Sequence, residues 1–251
     1  MSKDFLSKIT CKHGVFNILK NDSYICKSLL EYGEWSELEI NLFKDIIKIN
    51  DIIIEIGSHI GSHTVPLAKI VKEGFVHAYE PQSLLFNLLN NNIKDNNISN
   101  TKIYLEAVSS YDKRVKLNQV NYQSIYENKD EINSGGLDFK KQISKNGNYE
   151  INIITLDNKY KHLQRLDFIK IDAEGNEFDI LKGSKNLLKK FNPIIYCEFN
   201  YEYIKEKNKI LKFLKNFDYI FYDHITPLFN INNFKENKLN ILRNIFSYMF
   251  L

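Results

Sequence analysis

Residues 51–69 read DIIIEIGSHIGSHTVPLAK and combine two patterns. The run 52–56 is almost continuously apolar and β-branched, which predicts a strand buried on both faces of a sheet. Gly57 and Gly61 follow it, and apolar residues at helical spacing begin shortly afterwards. A glycine directly after a strand allows a tight turn and a close approach of the backbone to a ligand. The stretch therefore predicts a ligand-binding turn between a buried strand and a helix.

Similar units follow along the chain. Segments 83–93 and 178–188 have apolar residues at helical spacing, and each predicts one helix. Strands are predicted by β-branched and aromatic runs at 75–79, 102–108, 168–172 and 193–199. This alternation indicates an α/β fold with a mainly parallel sheet. We expect residues 49–251 to form one such domain.

Three segments depart from this alternation. Residues 1–48 predict an N-terminal extension packed on the core, with a hairpin around Asn21-Asp22 and a helix near 36–47. Residues 219–222 and 240–251 predict final antiparallel strands. The polar segment 109–150, which contains Ser134-Gly135-Gly136, is long for a connection. It is interpreted as either a lid or a mobile loop, and as the part of the chain that selects the acceptor.

Composition excludes several classes of protein. With 43% hydrophobic and 26% charged residues, the chain is typical of a globular protein and not of a disordered one. A net charge of +3 gives no indication of a nucleic-acid partner. No apolar run reaches the ~18–20 residues that a membrane span needs, and no secretory signal is recognisable. Stretches rich in asparagine, such as 90–92, are expected at the surface.

The three cysteines indicate a redox environment. Cys11, Cys26 and Cys197 are widely spaced and odd in number, so they predict neither a disulfide framework nor a zinc site. We therefore expect a reducing, cytoplasmic location.

The residues around Gly57 indicate the kind of ligand. The spacing G-x-x-x-G differs from the G-x-G-x-x-G of nicotinamide and flavin proteins. Glu55 precedes Gly57, and a carboxylate there suits an ammonium or sulfonium group better than a pyrophosphate. S-adenosylmethionine carries both cations. Glu80 ends the second strand, where a carboxylate can accept hydrogen bonds from ribose hydroxyls.

A second group of acidic residues lies further along the chain. Asp172 ends the strand 168–172, Glu174 lies in the following turn, and Glu198 ends the next strand. Neighbouring carboxylates repel one another unless a cation, a proton or a metal lies between them. Asp172 and Glu174 are candidate general bases, with His59 after them. A magnesium ion bound by Asp172, Glu174 or Glu198 is an open alternative, and no metal ligand is assigned.

Two basic residues near these motifs have simpler interpretations. Lys170, in the strand 168–172, is interpreted as an ion-pair partner or a surface residue. His63 follows His59 by one helical turn and is interpreted as a residue on the helix surface. Glu177 is expected to cap the amides at the start of the following helix.

Read together, these blocks resemble the FkbM family of S-adenosylmethionine-dependent methyltransferases. The similarity extends over about residues 20–200, and the IKIDAEG block is its most specific part. Besides 51–69, the matching blocks are VHAYEP (76–81), EAVS (106–109), ITLDN (154–158), LDFIKIDAEGNEFDILKGS (166–184) and IIYCEFN (194–200).

The resemblance implies a Rossmann-like class I methyltransferase with a mainly parallel seven-stranded sheet flanked by helices. It further implies methyl transfer from S-adenosylmethionine to a hydroxyl of a sugar, a glycolipid or a related small molecule. The family usually has Ala-Asn where this chain has Ser58-His59, so His59 could donate to the cofactor carboxylate or reach the acceptor. The cofactor-binding residues expected on this basis are Glu55, Gly57, Ser58, His59, Gly61, Glu80, Pro81, Ala107 and Asp172.

Two other functions stay open at this point. One is an NAD-dependent oxidoreductase on a similar sheet, and the other is a methyltransferase fold that has lost catalysis and only binds. A nucleic-acid methyltransferase is disfavoured because the charge is balanced and no Asn/Asp-Pro-Pro-Tyr/Phe motif occurs. The expected partner is thus a small-molecule or saccharide acceptor, with no nucleic acid and no transmembrane segment. A homo-oligomer is an open alternative.

Overall fold

The computed structural model describes residues 4–199, 204–229 and 241–250. Within these ranges, no helix is both long enough and apolar enough to cross a membrane. The strands are β1 Leu6–Cys11, β2 Gly14–Leu19, β3 Ile52–Ile56, β4 Phe75–Tyr79, β5 Thr101–Tyr104, β6 Glu106–Val108, β7 Lys113–Leu117, β8 Tyr149–Ile154, β9 Phe168–Ile171, β10 Ile194–Phe199, β11 Phe221–Phe229 and β12 Ile241–Phe250. The helices are α1 Ile25–Tyr32, α2 Glu37–Ile46, α3 Thr64–Ile70, α4 Ser83–Asp95, α5 Tyr122–Glu127, α6 Phe139–Gln142, α7 Leu156–Lys159, α8 Glu177–Lys182, α9 Lys185–Phe191 and α10 Ile204–Leu214.

The main sheet has the strand order β11-β12-β10-β9-β3-β4-β5. Its five strands from β10 to β5 are parallel, whereas β12 runs antiparallel to both β10 and β11. The central strands β3 and β9 are rich in isoleucine and almost wholly buried, as expected for a parallel sheet covered on both faces. The predicted α/β class, the mainly parallel sheet and the antiparallel strands near the end of the chain are confirmed.

Helices cover both faces of the sheet. On one face, α2, α3 and α4 pack with the N-terminal hairpin against side chains such as Ile53, Val76 and Phe168. On the other face, α8, α9 and α10 pack against Ile54 and Ile169 among others. The carboxyl ends of β3, β4 and β9 therefore meet at one edge between two packed layers.

Two predicted elements are divided in the structure. The strand predicted over 102–108 consists of β5 in the main sheet and β6 in a separate sheet of order β6-β8-β7. The single helix predicted over 178–188 is interrupted between α8 and α9. Gly183 lies in this break, where an added Cβ would be 2.1 Å from the carbonyl oxygen of Ser109. Close backbone packing thus ends α8 at this glycine.

The predicted position of the N-terminal hairpin is wrong. Its strands β1 and β2 are joined at Lys12-His13, and the Asn21-Asp22 pair lies beyond the hairpin. Asn and Asp are typical turn residues, but the Asp22 carboxylate here accepts from the amide of Cys26 in the first turn of α1, at 2.8 Å. Asp22 also pairs with Ile132 of the 109–150 segment. That segment forms β7, α5, α6 and the start of β8 and packs on the protein.

Asn92 of α4 and Asn96, directly after this helix, hold the outer edge of β2. Asn92 accepts from the amide of Asn17 at 2.6 Å and donates to the carbonyls of Asn17 and Ile60 at 3.2 and 2.7 Å. One turn later, Asn96 pairs in the same way with both backbone groups of Val15. Side-chain amides thereby satisfy an edge strand that would otherwise expose its backbone. The surface interpretation of 90–92 is wrong for Asn92, which is fully buried.

We predict that Asn92→Leu destabilises the protein by about 2–4 kcal/mol, because the buried backbone groups of Asn17 and Ile60 lose their partners. Urea unfolding followed by circular dichroism measures this change. The matched control is Asn91→Leu at an exposed position, which should change stability by less than about 0.5 kcal/mol. Equal unfolding midpoints for Asn92→Leu and the wild type would contradict this role of Asn92.

Candidate functional site

The turn after β3 is confined by its two neighbouring strands. The amides of Gly57 and Ser58 both donate to the carbonyl of Tyr79, at 3.1 and 3.0 Å. On the other side, a Cβ on Gly57 would lie 1.7 Å from the carbonyl oxygen of Asp172. Gly57 also has a φ of +83°, which favours glycine. Sterics and backbone conformation therefore both require the first glycine of the motif.

The same turn then bends against α4. Gly61 has a φ of +90°, and a Cβ there would lie 2.7 Å from a methyl group of Leu89. His59 has a φ of +50°, a left-handed conformation that His and Asn adopt more readily than most residues. Ser58 and His59 are both buried. The turn is thus a rigid, closely packed segment.

Glu80 lies directly after β4 and is held by two backbone amides. Its Oε2 accepts from His59 at 2.9 Å and its Oε1 accepts from Gln82 at 2.8 Å. Burial raises the pKa of Glu80 to about 7, because desolvation and nearby Asp172 and Glu55 outweigh these two bonds. Each carboxylate oxygen has room for a further hydrogen bond. Glu80 can therefore accept from two hydroxyl groups of a ligand while its orientation stays fixed.

A cleft open to solvent lies at this edge of the sheet. Among the residues predicted from sequence, those that line it are Gly57, Glu80, Pro81, Ala107, Asp172 and Glu174. The others, Glu55, Ser58, His59 and Gly61, belong to the end of β3 and the turn behind the cleft wall. The structure thus brings all the predicted site residues to one region, with only part of them facing the cleft.

The sequence analysis assigned acceptor choice to the 109–150 segment but named none of the residues by which that segment lines the cleft. Gly135, Leu137 and Phe139 line it opposite the strand ends, and Gln82 and Glu106 add polar groups. The Ser134-Gly135-Gly136 stretch signalled an irregular backbone, but no periodic pattern connected it to the cleft. This segment forms a partly apolar wall beside the carboxylates.

A buried lysine lies next to these carboxylates. Glu55, Lys170 and Tyr196 are direct neighbours across β3, β9 and β10. Lys170 is only 2% exposed, and its Nζ lies 3.0 Å from Oδ2 of Asp172. Burial alone would lower the pKa of Lys170, but Asp172, Glu55 and other carboxylates raise it overall, so the ammonium stays charged. The ion pair was anticipated, whereas the surface position is wrong.

Glu55 lies beneath the turn and is fully buried. Its Oε2 accepts from the hydroxyl of Thr64 at 2.6 Å, and its Oε1 has no hydrogen-bond partner among the described residues. Burial raises the pKa of Glu55, and the charge of Lys170 opposes this effect. A buried acceptor without a partner is costly. Glu55 therefore offers an unused acceptor behind the turn after β3.

His63 is not on a helix surface. It is 5% exposed, and its Nε2 lies 3.0 Å from Oε2 of Glu39 on α2. The second oxygen of Glu39 accepts from the hydroxyl of Tyr196 at 2.8 Å. Helical spacing suggested an exposed residue, but α2 covers this side of α3. His63 belongs to a buried polar network that joins α2 to the sheet.

The turn after β9 has a similarly constrained backbone. Glu174 and Gly175 have φ values of +46° and +88°. The Glu177 carboxylate accepts from the amides of Ala173 and Gly175, both at 3.1 Å, as expected for a capping residue. Burial raises the pKa of Glu177 to about 7. Among the described residues, no three His, Cys, Asp or Glu side chains are grouped so that they could hold a metal ion.

Comparison with known proteins supports a methyltransferase fold. A crystal structure of methyltransferase FkbM from Methylobacillus flagellatus is similar at a TM-score of 0.54 and 15% identity, over 82% of this chain but only 44% of that one. Precorrin-6y C5,15-methyltransferase from Geobacter metallireducens is similar at a TM-score of 0.52 and 10% identity, over 86% of each chain. At such identities the likeness shows the fold, which is class I methyltransferase-like. No curated protein matches this sequence.

The family comparison is more specific than these structural similarities. The sequence model described as the methyltransferase FkbM domain matches residues 55–221. This range begins at Glu55 and includes the turn after β3, Glu80, the 109–150 segment and the turn after β9. Because the match extends over more than half of the sequence, this chain belongs to the FkbM methyltransferase domain family.

Proposed function

We propose that this protein is an S-adenosylmethionine-dependent O-methyltransferase that acts on a hydroxyl of a sugar, a glycolipid or a related small molecule. The main support is Glu80, whose carboxylate is fixed by two amides in the cleft wall and keeps acceptor capacity on both oxygens. A ribose presents two neighbouring hydroxyls that match this arrangement. Membership of the FkbM family supplies the methyl-transfer chemistry.

The residues of the cleft fit the cofactor. Gly57 lines the cleft and has no side chain, so its backbone is open to close approach by a ligand. Ala107, Leu137 and Phe139 form an apolar wall suited to an adenine ring. Asp172 and the buried Glu55 give the region beside the turn a negative character. When bound, the cofactor supplies a methyl group on a positively charged sulfur.

The chain's own residues have two tasks in this reaction. The 109–150 segment supplies an apolar wall that limits access of water, and the strand-end groups hold both substrates in line, effects worth up to ~7–11 kcal/mol in such reactions. Asp172 and Glu174 line the cleft and are the groups proposed to accept the proton of the acceptor hydroxyl. His59 is the third candidate, although it lies behind the cleft wall.

Two features of the site argue against other ligands: the charge of the cleft against a nucleic acid, and the side chain of His59 against a nicotinamide dinucleotide. Glu80, Glu106, Asp172 and Glu174 line it, so a polyanionic nucleic acid would meet repulsion there. A nicotinamide dinucleotide needs glycine where its pyrophosphate passes the turn. Here His59 places a buried side chain at that position. A neutral saccharide or small-molecule acceptor is compatible with both observations.

We also propose that the protein works in a reducing, cytoplasmic compartment. Cys11, Cys26 and Cys197 are free thiols. Burial raises the pKa of each thiol, which keeps it protonated and unreactive.

We predict that Glu80→Gln weakens binding of S-adenosylhomocysteine by about 10–100-fold, measured by calorimetry. The amide replaces one oxygen acceptor with a donor, which opposes a backbone amide and no longer accepts from the ribose. Glu150→Gln, on the surface of β8, is the matched control and should leave the affinity unchanged. Equal affinities of Glu80→Gln and the wild type would exclude the ribose contact.

Binding of the same nucleoside should depend on pH. The Glu80 carboxylate has a pKa of about 7, and only its ionised form accepts from both hydroxyls. Affinity should therefore be highest above pH 7 and fall by up to about tenfold per pH unit below it. Titrations between pH 5.5 and 8.5 measure this slope. Glu80→Gln should show a flat profile, and a wild-type affinity independent of pH would contradict the role of the carboxylate.

We predict that Asp172→Asn leaves S-adenosylhomocysteine affinity within about threefold but lowers kcat by on the order of 10²-fold or more. The amide cannot accept a proton from the acceptor. Transfer of labelled methyl groups to a saccharide acceptor, identified from a panel with the wild type, measures kcat. Glu174→Gln is compared in parallel, because a larger loss there would assign the base to Glu174. Unchanged turnover in Asp172→Asn would contradict its assignment as the base.

A further inference from the structure

Three buried polar residues from separate parts of the chain form one hydrogen-bonded row. Nε2 of His59 lies 2.8 Å from Oγ of Ser134, and the hydroxyl of Ser134 donates to Oδ2 of Asp22. Asp22, Ser134 and His59 are 2%, 0% and 6% exposed. Asp22 precedes α1, Ser134 lies in the 109–150 segment, and His59 lies in the turn after β3. Neither the sequence analysis nor the family match assigns a functional role to Asp22 or Ser134.

The contacts of Asp22 set the direction of this row. Its Oδ1 accepts from the amides of Tyr24 and Cys26, at 3.2 and 2.8 Å. Its Oδ2 accepts from the amide of Ser134 at 3.1 Å and also from the Ser134 hydroxyl. A serine hydroxyl has a single proton. Because Ser134 donates that proton to Asp22, its oxygen can only accept from His59.

His59 must therefore carry its proton on Nε2. Burial lowers the pKa of His59, so the ring is neutral near pH 7 and Nδ1 holds a lone pair. This Nδ1 is buried and has no hydrogen-bond partner among the described residues. It is an acceptor that the protein itself leaves unused.

The position of the ring connects this acceptor to the cleft. The backbone amide of His59 donates to Glu80, which lines the cleft. On the other side, Cδ2 of His59 lies 4.0 Å from the position of a Cβ on Gly135, another lining residue. The ring therefore lies directly behind the cleft wall, next to Gly135, and the backbone of His59 holds Glu80.

We propose that Asp22 and Ser134 are positioning residues, which hold His59 so that Nδ1 accepts a hydrogen bond from the ammonium group of the cofactor's amino-acid part. This inference rests on the proposed function. An acceptor lone pair repels a carboxylate, so it replaces the expectation that His59 donates to the cofactor carboxylate. With Nε2 protonated and Nδ1 occupied, His59 is also removed from the candidate bases, which leaves Asp172 and Glu174. The charges of Asp22 and Asp172 near the ring also favour a cation over an anion.

Asp22 and Ser134 also join two segments of the chain. A test of their positioning role must therefore exclude an effect on folding. Ser23 donates to the carbonyl of Ile132 at 2.9 Å, and Ile132 donates to that of Asn21 at 3.0 Å. These backbone bonds join the two segments independently of the Asp22 and Ser134 side chains. Variants of these side chains should therefore keep the segments together, and circular dichroism and thermal unfolding check that they do.

Asp22→Asn is expected to reverse the direction of the row. The Asn oxygen can still accept from Tyr24 and Cys26, so its amide nitrogen faces Ser134 and donates to Oγ, while the Ser134 backbone amide loses its acceptor. The Ser134 hydroxyl must then donate to Nε2 of His59, and the ring proton moves to Nδ1. Nitrogen-15 NMR of labelled histidines without ligand should show Nε2–H in the wild type and Nδ1–H in the variant. A wild-type ring that carries its proton on Nδ1 would overturn the inference.

Calorimetry then tests the ligand. S-adenosylhomocysteine is compared with its analogue that lacks the α-amino group. The wild type should prefer the amino form, and Asp22→Asn and Ser134→Ala should lose about tenfold in affinity for it. Affinity for the analogue should not change, and Ser134→Thr, which keeps the hydroxyl, should restore the preference.

The outcomes distinguish a failure of the positioning role from a failure of the proposed function. A full preference for the amino form in folded Asp22→Asn and Ser134→Ala would overturn the positioning role. If the wild type binds neither nucleoside, the proposed function fails together with the ligand assigned to His59. The NMR result needs no ligand, and a wild-type ring with its proton on Nδ1 would overturn the positioning role whatever the calorimetry shows.

Discussion

The cleft depends on how the protein compensates negative charges that it gathers at the carboxyl ends of β3, β4 and β9. Carboxylates so close together repel one another, and their removal from water adds to the cost. Lys170 lies beside Glu55 on the neighbouring strand and pairs with Asp172 at 3.0 Å. Backbone amides hold Glu80 in the same region. The charges are thus tolerated and their positions fixed before any ligand arrives.

This compensation is incomplete. The acceptor groups that stay without a full set of partners indicate which kind of ligand would fit the site. Glu80 has a raised pKa of about 7, and Glu55 keeps one oxygen without a partner among the described residues. Hydroxyl and cationic donors would complete both environments, whereas an anion would not. A nucleoside with a ribose and a charged amino acid has these donors, and for this reason we propose S-adenosylmethionine as the cofactor of the cleft.

Local patterns predicted the centre of the fold well. The isoleucine run of β3, the following Gly57 and the acidic ends of β4 and β9 are signals within a few residues, and the structure places them as expected. The structural roles that the sequence did not predict belong to residues whose partners are distant in the chain. Nothing near Asn92 in sequence shows that it holds the edge of β2, and nothing near Ser134 shows that it meets Asp22. Polar residues give no periodic signal, so their burial becomes visible only in three dimensions.

The central claim is that this cleft recognises an S-adenosyl nucleoside. The most direct test is a calorimetric titration of the folded wild-type protein at pH 8 with S-adenosylhomocysteine, beside a titration with NADH. We predict saturable binding of the first with a dissociation constant in the micromolar range and no heat from the second. Binding of NADH alone, or of neither compound, would contradict the account.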